Sequence, residues 1–315
     1  MGKSSAMIDV LMAAFNGERF LPEQLDSILT QTEQDFQLLW QDDGSTDETV
    51  HILAAYEDAH PDKIHRISGP DHVKSAKGNF MSLLDKSQAD YVCFSDQDDR
   101  WRQDKLETTL AAMRAGEKQY GKETPLLVHT DLAVVDENLA IIAPSFFQYQ
   151  KLNPNQNNLN RLLVQNHVTG CTMMINRSLA LLLKMAPAKA MAMHDWWAAM
   201  AACAMGHILF LDKPTVDYRQ HGRNQVGSQG GGLSNKFFKA VSQGGETRHR
   251  LFQSYGQAED FLACYISLLP EEMARSVARY SGLGKAGKAK RIETLIRFGY
   301  LKQGVFPCLG QLFFC

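Results

Sequence analysis

The chain has 315 residues, 44% hydrophobic and 22% charged, with 33 Lys and Arg against 35 Asp and Glu for a net charge of −2. That is ordinary globular material, enough for one large core and an appendage, and a charge so near zero excludes a global pull toward nucleic acid. No window holds the roughly 18 apolar residues of a membrane span, and six cysteines at 93, 171, 203, 264, 308 and 315 without C-x-x-C spacing read as reduced core thiols of a cytosolic protein.

Up to about residue 115, short β-rich runs alternate with helical periodicity, which predicts an α/β fold: a mixed, mostly parallel sheet flanked by helices. MIDVLMAAF (7–15) reads as the first strand and not as a signal peptide. A helix follows, with Pro22 in its first turn and Leu21, Leu25, Ile28 and Leu29 on one face. FQLLWQ (36–41) is the second strand, and Ser45-Thr46-Asp47-Glu48 reads as a capping box opening the next helix. IHRIS (64–68) is the third strand. A helix with Phe80, Leu83 and Leu84 leads to DYVCFS (90–95), and Trp101, Leu106, Leu110 and Met113 mark the helix after it.

The later order is less regular: LLVHTDLAVVD (126–136), an Asn-rich loop near 153–160, CTMMINR (171–177), the helical HDWWAAMAACAMG, and HILFLD (207–212). The Gly/Ser stretch 226–235 reads as a hinge. It divides a catalytic domain, residues 1–227 (donor half about 1–115, acceptor half about 116–227), from a mainly helical extension, 228–315.

Three polar clusters follow strands: AFNGERF after the first, QDDGSTD after the second and SDQDD after the fourth. In an open parallel sheet, ligands bind beyond the carboxyl ends of the strands, so these loops should meet in one crevice. Extended backbone puts Asp96 and Asp98 on one side and Asp99 on the other. Such a pair suits a hard divalent ion, Mg2+ or Mn2+, whose shell also takes substrate phosphates. The competing reading has Asp98 and Asp99 capping the next helix and Asp96 paired with Arg100 or Arg102. Asp42 suits the imide N–H of uracil or thymine, or else a tight turn.

AAFNGERF, QDDGSTDETV and FSDQDDRW, in this order, resemble the inverting family-two nucleotide-sugar glycosyltransferases of the GT-A (Rossmann-like) fold, most closely the bacterial rhamnosyltransferase-like branch that builds surface polysaccharides. The resemblance continues through VHTDLAVVD, NHVTGCTMMINRSL, MHDWWAAMA and DYRQHGRNQVG, covering about residues 7–227. It implies that Ala13 and Phe15 line the base and ribose pocket, Asp42 reads the base, and Asp96 contacts ribose or metal. Asp98 is then the principal metal ligand, with His221 completing the shell. Lys77 and Arg219 lie near the donor phosphates, and Asp195 is the catalytic base. Gly170, Trp196 and Trp197 fall on the acceptor side. The implied substrates are a dTDP- or UDP-linked sugar and a saccharide or lipid-linked acceptor.

Each assignment has a structural alternative: Lys77 as a solvated lysine, Asp195 as a helix N-cap, His221 as a structural histidine, and Trp196 and Trp197 as core. Two rival functions also stand, a sugar-phosphate nucleotidyltransferase and an inactive scaffold of a polysaccharide assembly complex. Residues 285–302 hold six basic residues and one acid, with Ile292, Leu295, Ile296 and Tyr300 near one helical face, and FPCLGQLFFC adds an apolar end. This tail either lies on the anionic inner face of the cell membrane, where each Lys or Arg contributes about 1 kcal/mol, or docks on the catalytic domain.

Overall fold

The structure, a computed structural model, describes residues 7–68, 75–221 and 244–315. The hinge at 226–235 and the domain boundary expected near residue 227 lie outside the described residues.

Strand β1 (Ile8–Ala14) sits between β2 (Phe36–Asp42) and β4 (Tyr91–Ser95), parallel to both, and β3 (Ile64–Arg66) extends the sheet beyond β2. On the other flank β8 (Met173–Asn176) is antiparallel to β4 and to β6 (Leu126–Val135). β9 (His207–Arg219) runs parallel to β6, and the two-residue β5 (Arg100–Trp101) closes that edge against it. β7 (Ile141–Ala143) pairs with β6 off the main path. Strands β1, β2, β3, β4, β6 and β9 therefore point one way, and β5, β7 and β8 the other. The sheet is mixed and mostly parallel, as expected.

The central strands are apolar because helices cover both faces. Alternate residues of β1 enter opposite cores: Ile8, Val10 and Met12 pack with Trp40, Leu106 and Met113, while Leu11 packs with Phe80, Phe94 and Leu127. The flanking helices are α1 (Leu21–Leu29), α2 (Thr49–Ala59), α3 (Ala76–Lys86), α4 (Lys105–Tyr120), α5 (Phe146–Gln150), α6 (Leu159–Leu162), α7 (Arg177–Lys184) and α8 (His194–Met205).

Three sequence expectations need correction. Helix α2 begins only at Thr49, with no side-chain cap; Ser45 instead accepts the amide of Asn16 at 2.8 Å, so the capping-box residues tie two loops together. Trp101 belongs to β5, not to the helix after it, because Arg100 and Arg102 both reach Asp217 of β9, at 2.6 and 3.3 Å, and hold the chain extended. β9 is also far longer than HILFLD, which matters because its extension carries Arg219 to the site.

The C-terminal helices are α9 (Gly244–Tyr265), α10 (Glu271–Ser281), α11 (Lys288–Phe298) and α12 (Val305–Phe314). They share the core of Phe80 and Trp197 through Tyr255, Phe261, Tyr265, Tyr280, Leu295 and Tyr300, all fully or nearly fully buried. The Tyr300 hydroxyl lies 2.8 Å from Ser276 Oγ, and Trp197 Nε1 donates to the Tyr265 hydroxyl at 3.0 Å. Of the two readings of 285–302, the burial favours docking for this face: Leu295 and Tyr300 face the protein, and of that apolar set Ile296 alone is exposed.

Candidate active site

The carboxyl ends of β1, β2, β4 and β9 share one edge of the sheet, and their loops are laced together there. Phe15 N donates to Gln97 Oε1 and Gln97 Nε2 donates back to Phe15 O, each at 2.8 Å. A Cβ at Gly17 would lie 2.4 Å from the Gln97 side chain, so a larger residue there would push that amide aside. Gly17 N donates to Thr49 Oγ1 at 2.7 Å and Thr46 N to Asn16 Oδ1 at 2.8 Å. These contacts lace the loops into one frame, with Phe15 exposed and Ala13 half-buried. Gln97, lodged within the acidic run, is the residue that joins the two loops.

Asp42 folds onto its own turn. Its carboxylate accepts the amides of Gly44 and Ser45, each at 2.9 Å, and the Ser45 hydroxyl. A carboxylate offers about four acceptor positions, so one remains.

The acids of SDQDD do not cap the following helix, and Arg100 and Arg102 are taken by Asp217. The N-cap of α4 is Asp104, which removes that structural alternative. Instead, Asp98 Oδ2 lies 2.7 Å from His221 Nε2, and the buried Asp99 accepts the amide of Arg219 at 3.1 Å. Burial, with Asp98 and Asp195 nearby, pushes the Asp96 carboxyl up to about 7. Burial also drives Asp99 well above the usual carboxylate range, Asp98 and Asp96 adding to it. Oxygens of Asp96 and Asp99 and the sulfur of Cys171 lie within 4.8 Å of one another. The site therefore concentrates negative charge in a poorly solvated place, an arrangement a cation relieves.

Asp195 comes from a different part of the chain. It lies inside the first turn of α8, whose N-cap is Met193, so it is not the cap. Its Oδ2 accepts the Gly170 amide at 3.2 Å and its Oδ1 the Trp196 amide at 2.6 Å. A Cβ at Gly170 would fall 2.9 Å from His194 Nε2, so a glycine is required for this approach. Burial raises the Asp195 carboxyl to about 6 even though both amides oppose the shift. Beneath it, His194 is buried between Phe80 and Phe94, ring centroids 4.4 and 4.9 Å away. Burial lowers it to about 3, so it is a neutral packing element.

Other expected residues fall differently. Trp197 is not on an acceptor surface: it is fully buried against Phe261 and Tyr265, as a helix facing a second helical layer demands. Trp196 is half-buried, its indole N–H on the Leu162 carbonyl. Lys77 donates to the Met191 carbonyl, three residues before His194. Arg219 is buried, donating to Asp98 O at 2.9 Å and to Glu23 Oε2 at 2.6 Å, with its guanidinium carbon 4.4 Å above the Phe20 ring. It clamps the acidic loop. Only the length of β9 and the partner Glu23, 196 positions away, explain that, and neither is legible locally.

Residues 9–180 match the family model described as Glycosyl transferase family 2. The chain is 29% identical over 227 residues to the dTDP-rhamnosyl transferase RfbG of Shigella flexneri, covering 69% of this chain and 74% of that protein. Two solved structures share the architecture. The mannosyltransferase PcManGT of Pyrobaculum calidifontis, in complex with GDP-Man and Mn2+, aligns at a TM-score of 0.55 and 14% identity, over 98% of this chain and 79% of that one. S. aureus TarS 1-349 in complex with UDP aligns at 0.51 and 16% identity, over 93% and 91%.

Proposed function

The chain belongs to glycosyl transferase family 2, and from that premise we propose that it is a metal-dependent inverting glycosyltransferase. In this reading it moves a sugar from a pyrimidine nucleoside diphosphate, dTDP- or UDP-linked, to a hydroxyl of a saccharide or lipid-linked saccharide in bacterial surface polysaccharide synthesis. The observation that carries the reading is the convergence of Asp96, Asp98 and Asp195, from two separate segments of the chain, at the carboxyl edge of the sheet. Family membership replaces the nucleotidyltransferase alternative. The likeness to RfbG favours a rhamnosyl donor.

The residues present fit a hard divalent ion. Asp96 and Asp98 offer carboxylate oxygens, His221 an imidazole nitrogen hydrogen-bonded to Asp98, and a cation would hold ionised the Asp96 carboxyl that burial and its acidic neighbours push up. Mg2+ or Mn2+ held there would supply charge stabilisation for the departing diphosphate. The softer Cys171 thiol, pushed up by burial, lies beneath with Asp99 and does not suit a hard ion.

The chain's own residues do the rest. Phe15, fixed by Gln97, offers an aromatic wall to the base, and Asp42 retains one acceptor for an imide N–H. Asp195, ionised above about pH 6 and aimed by the Gly170 amide, takes the proton of the acceptor hydroxyl. The freed oxygen bonds to the anomeric carbon as the bond to the diphosphate oxygen breaks, so one displacement inverts the configuration. Proton NMR of the product checks this: an anomeric configuration opposite to that of the donor is expected, and retention of configuration rules it out.

A further inference from the structure

A helix at a protein surface ordinarily turns its apolar stripe inward and its polar residues outward. Helix α12 (Val305–Phe314) does the reverse. Its one fully buried side chain is Gln311, 1% exposed, whose amide donates to Tyr300 O at 2.8 Å and whose Oε1 accepts the Lys302 amide at 2.9 Å. Opposite it stand Val305, Phe306, Leu309 and Phe313, 71%, 47%, 54% and 67% exposed. At 3.6 residues per turn these four fall within about 100° of arc. Two aromatic rings and two aliphatic side chains in one exposed stripe form a contiguous apolar face, which needs an apolar partner.

The charge beside this face says what the partner is. A cleft of about 440 Å³ abuts the start of α12, between the 301–308 turn and the segment 151–161. Lys151, Arg161 and Lys302 line it together with the amides of Asn153, Gln156 and Gln303, and among the described residues no acid does. Lys302 is drawn largely out of water, with Arg250 alongside, so an anion entering the cleft would hold its ammonium charged. At the far end of α12, Lys288 donates to Phe313 O at 2.8 Å and lies 5.3 Å from the Phe313 ring centroid. An apolar stripe with cations at both ends matches a bilayer surface, with acyl chains meeting the stripe and phosphates the cations. A second copy of this chain would supply the apolar surface but brings no stated anion for the cleft. Among the described residues no helix is long and apolar enough to cross a membrane.

We infer that the α12 stripe enters the acyl boundary of a bilayer while the Lys151–Arg161–Lys302 cleft takes the phosphate of an anionic phospholipid headgroup. This rests on the proposed action on a lipid-linked acceptor, and within the tail it assigns the contact to the apolar end on α12 and not to the Leu295 and Tyr300 side of α11. It stands apart from the transfer chemistry, since none of these residues lies among the acids of the crevice.

Full-length protein is sedimented with phosphatidylcholine vesicles, with vesicles containing 30% phosphatidylglycerol, and with the latter plus millimolar inorganic phosphate. Binding is expected only with the anionic lipid. It should fall at least tenfold in the double variant Leu309→Asp/Phe313→Asp and severalfold in Lys151→Glu, with free phosphate competing weakly. Circular dichroism melts confirm that the variants fold, and transfer to a water-soluble acceptor should be unchanged in them, so failure here leaves the transferase reading intact. Equal sedimentation of wild type and the double variant would overturn the inference. So would a dimer in vesicle-free buffer that the double variant dissolves, or phosphate binding to a protein that ignores vesicles.

Discussion

His221 Nε2 lies 2.7 Å from Asp98 Oδ2, joining the end of the last long strand to the loop after β4 across 123 positions of sequence. The imidazole either shares a cation with Asp98 or orients the carboxylate that holds it. In both cases His221→Ala should weaken Mn2+-dependent stabilisation by UDP or dTDP, by roughly 10–100-fold in apparent affinity. Asp98→Ala should remove the metal dependence altogether. Thermal-shift titrations of each variant with and without Mn2+ measure this; a metal response of wild-type size in Asp98→Ala excludes it as a ligand.

Asp195 acts only when ionised. Because burial sets its carboxyl at about 6, the rate of transfer at low substrate should climb as pH rises through 6 and level off above 7. Asp195→Asn should lose roughly 10²–10⁴-fold and its profile should lose the step. A step that survives in Asp195→Asn assigns the titration to another group.

Trp197 is a core residue, so its loss should register in stability. Trp197→Ala removes a fully buried indole together with its bond to Tyr265, and a cost of about 3–5 kcal/mol is expected in urea unfolding. Trp197→Phe should cost less and keep the KM for acceptor. A raised KM at unchanged stability would return Trp197 to the acceptor side.

Three buried histidines make the fold sensitive to acid. His129 and His194 are lowered to about 3 and His167 to about 4, in each case mainly by burial, with His167 adding to the effect on His129. Their folded values lie below the unfolded value near 6.5, so between those limits the unfolded chain binds more protons. Stability is full above about 6.5 and falls as pH drops toward 3. Neither ring nitrogen of His129 has a hydrogen-bond partner among the described residues. His129→Phe should therefore lose no bond and should flatten the decline in urea midpoint from pH 7 to 5. An equally steep decline in the variant assigns the acid sensitivity elsewhere.

The sheet was legible because buried parallel strands are short apolar runs, as IDVLMAA and YVCFS show, and the acidic clusters were legible because each follows such a run. What each side chain does there was harder to see. Arg219 and Trp197 are written like site residues, yet one clamps a loop and the other fills a helix interface, since partners 196 and 68 positions away decide their surroundings. Gln97 and Gly17 form a contact whose meaning exists only when two loops meet. In the tail, helical periodicity marked an apolar face on α11 correctly, but periodicity does not say which face docks: Leu295 and Tyr300 went inward, and the stripe left exposed is that of α12.

The central claim is that the Asp96–Asp98 crevice holds a nucleoside diphosphate together with a divalent cation. Isothermal calorimetry of the full chain with UDP, dTDP and GDP, each with Mn2+ and with EDTA, tests it most directly. A pyrimidine diphosphate should bind with Mn2+, lose at least tenfold with EDTA, and bind Asp98→Asn no better with metal than without. Absence of heat with all three nucleotides in the presence of Mn2+, from protein that melts cooperatively, would contradict it.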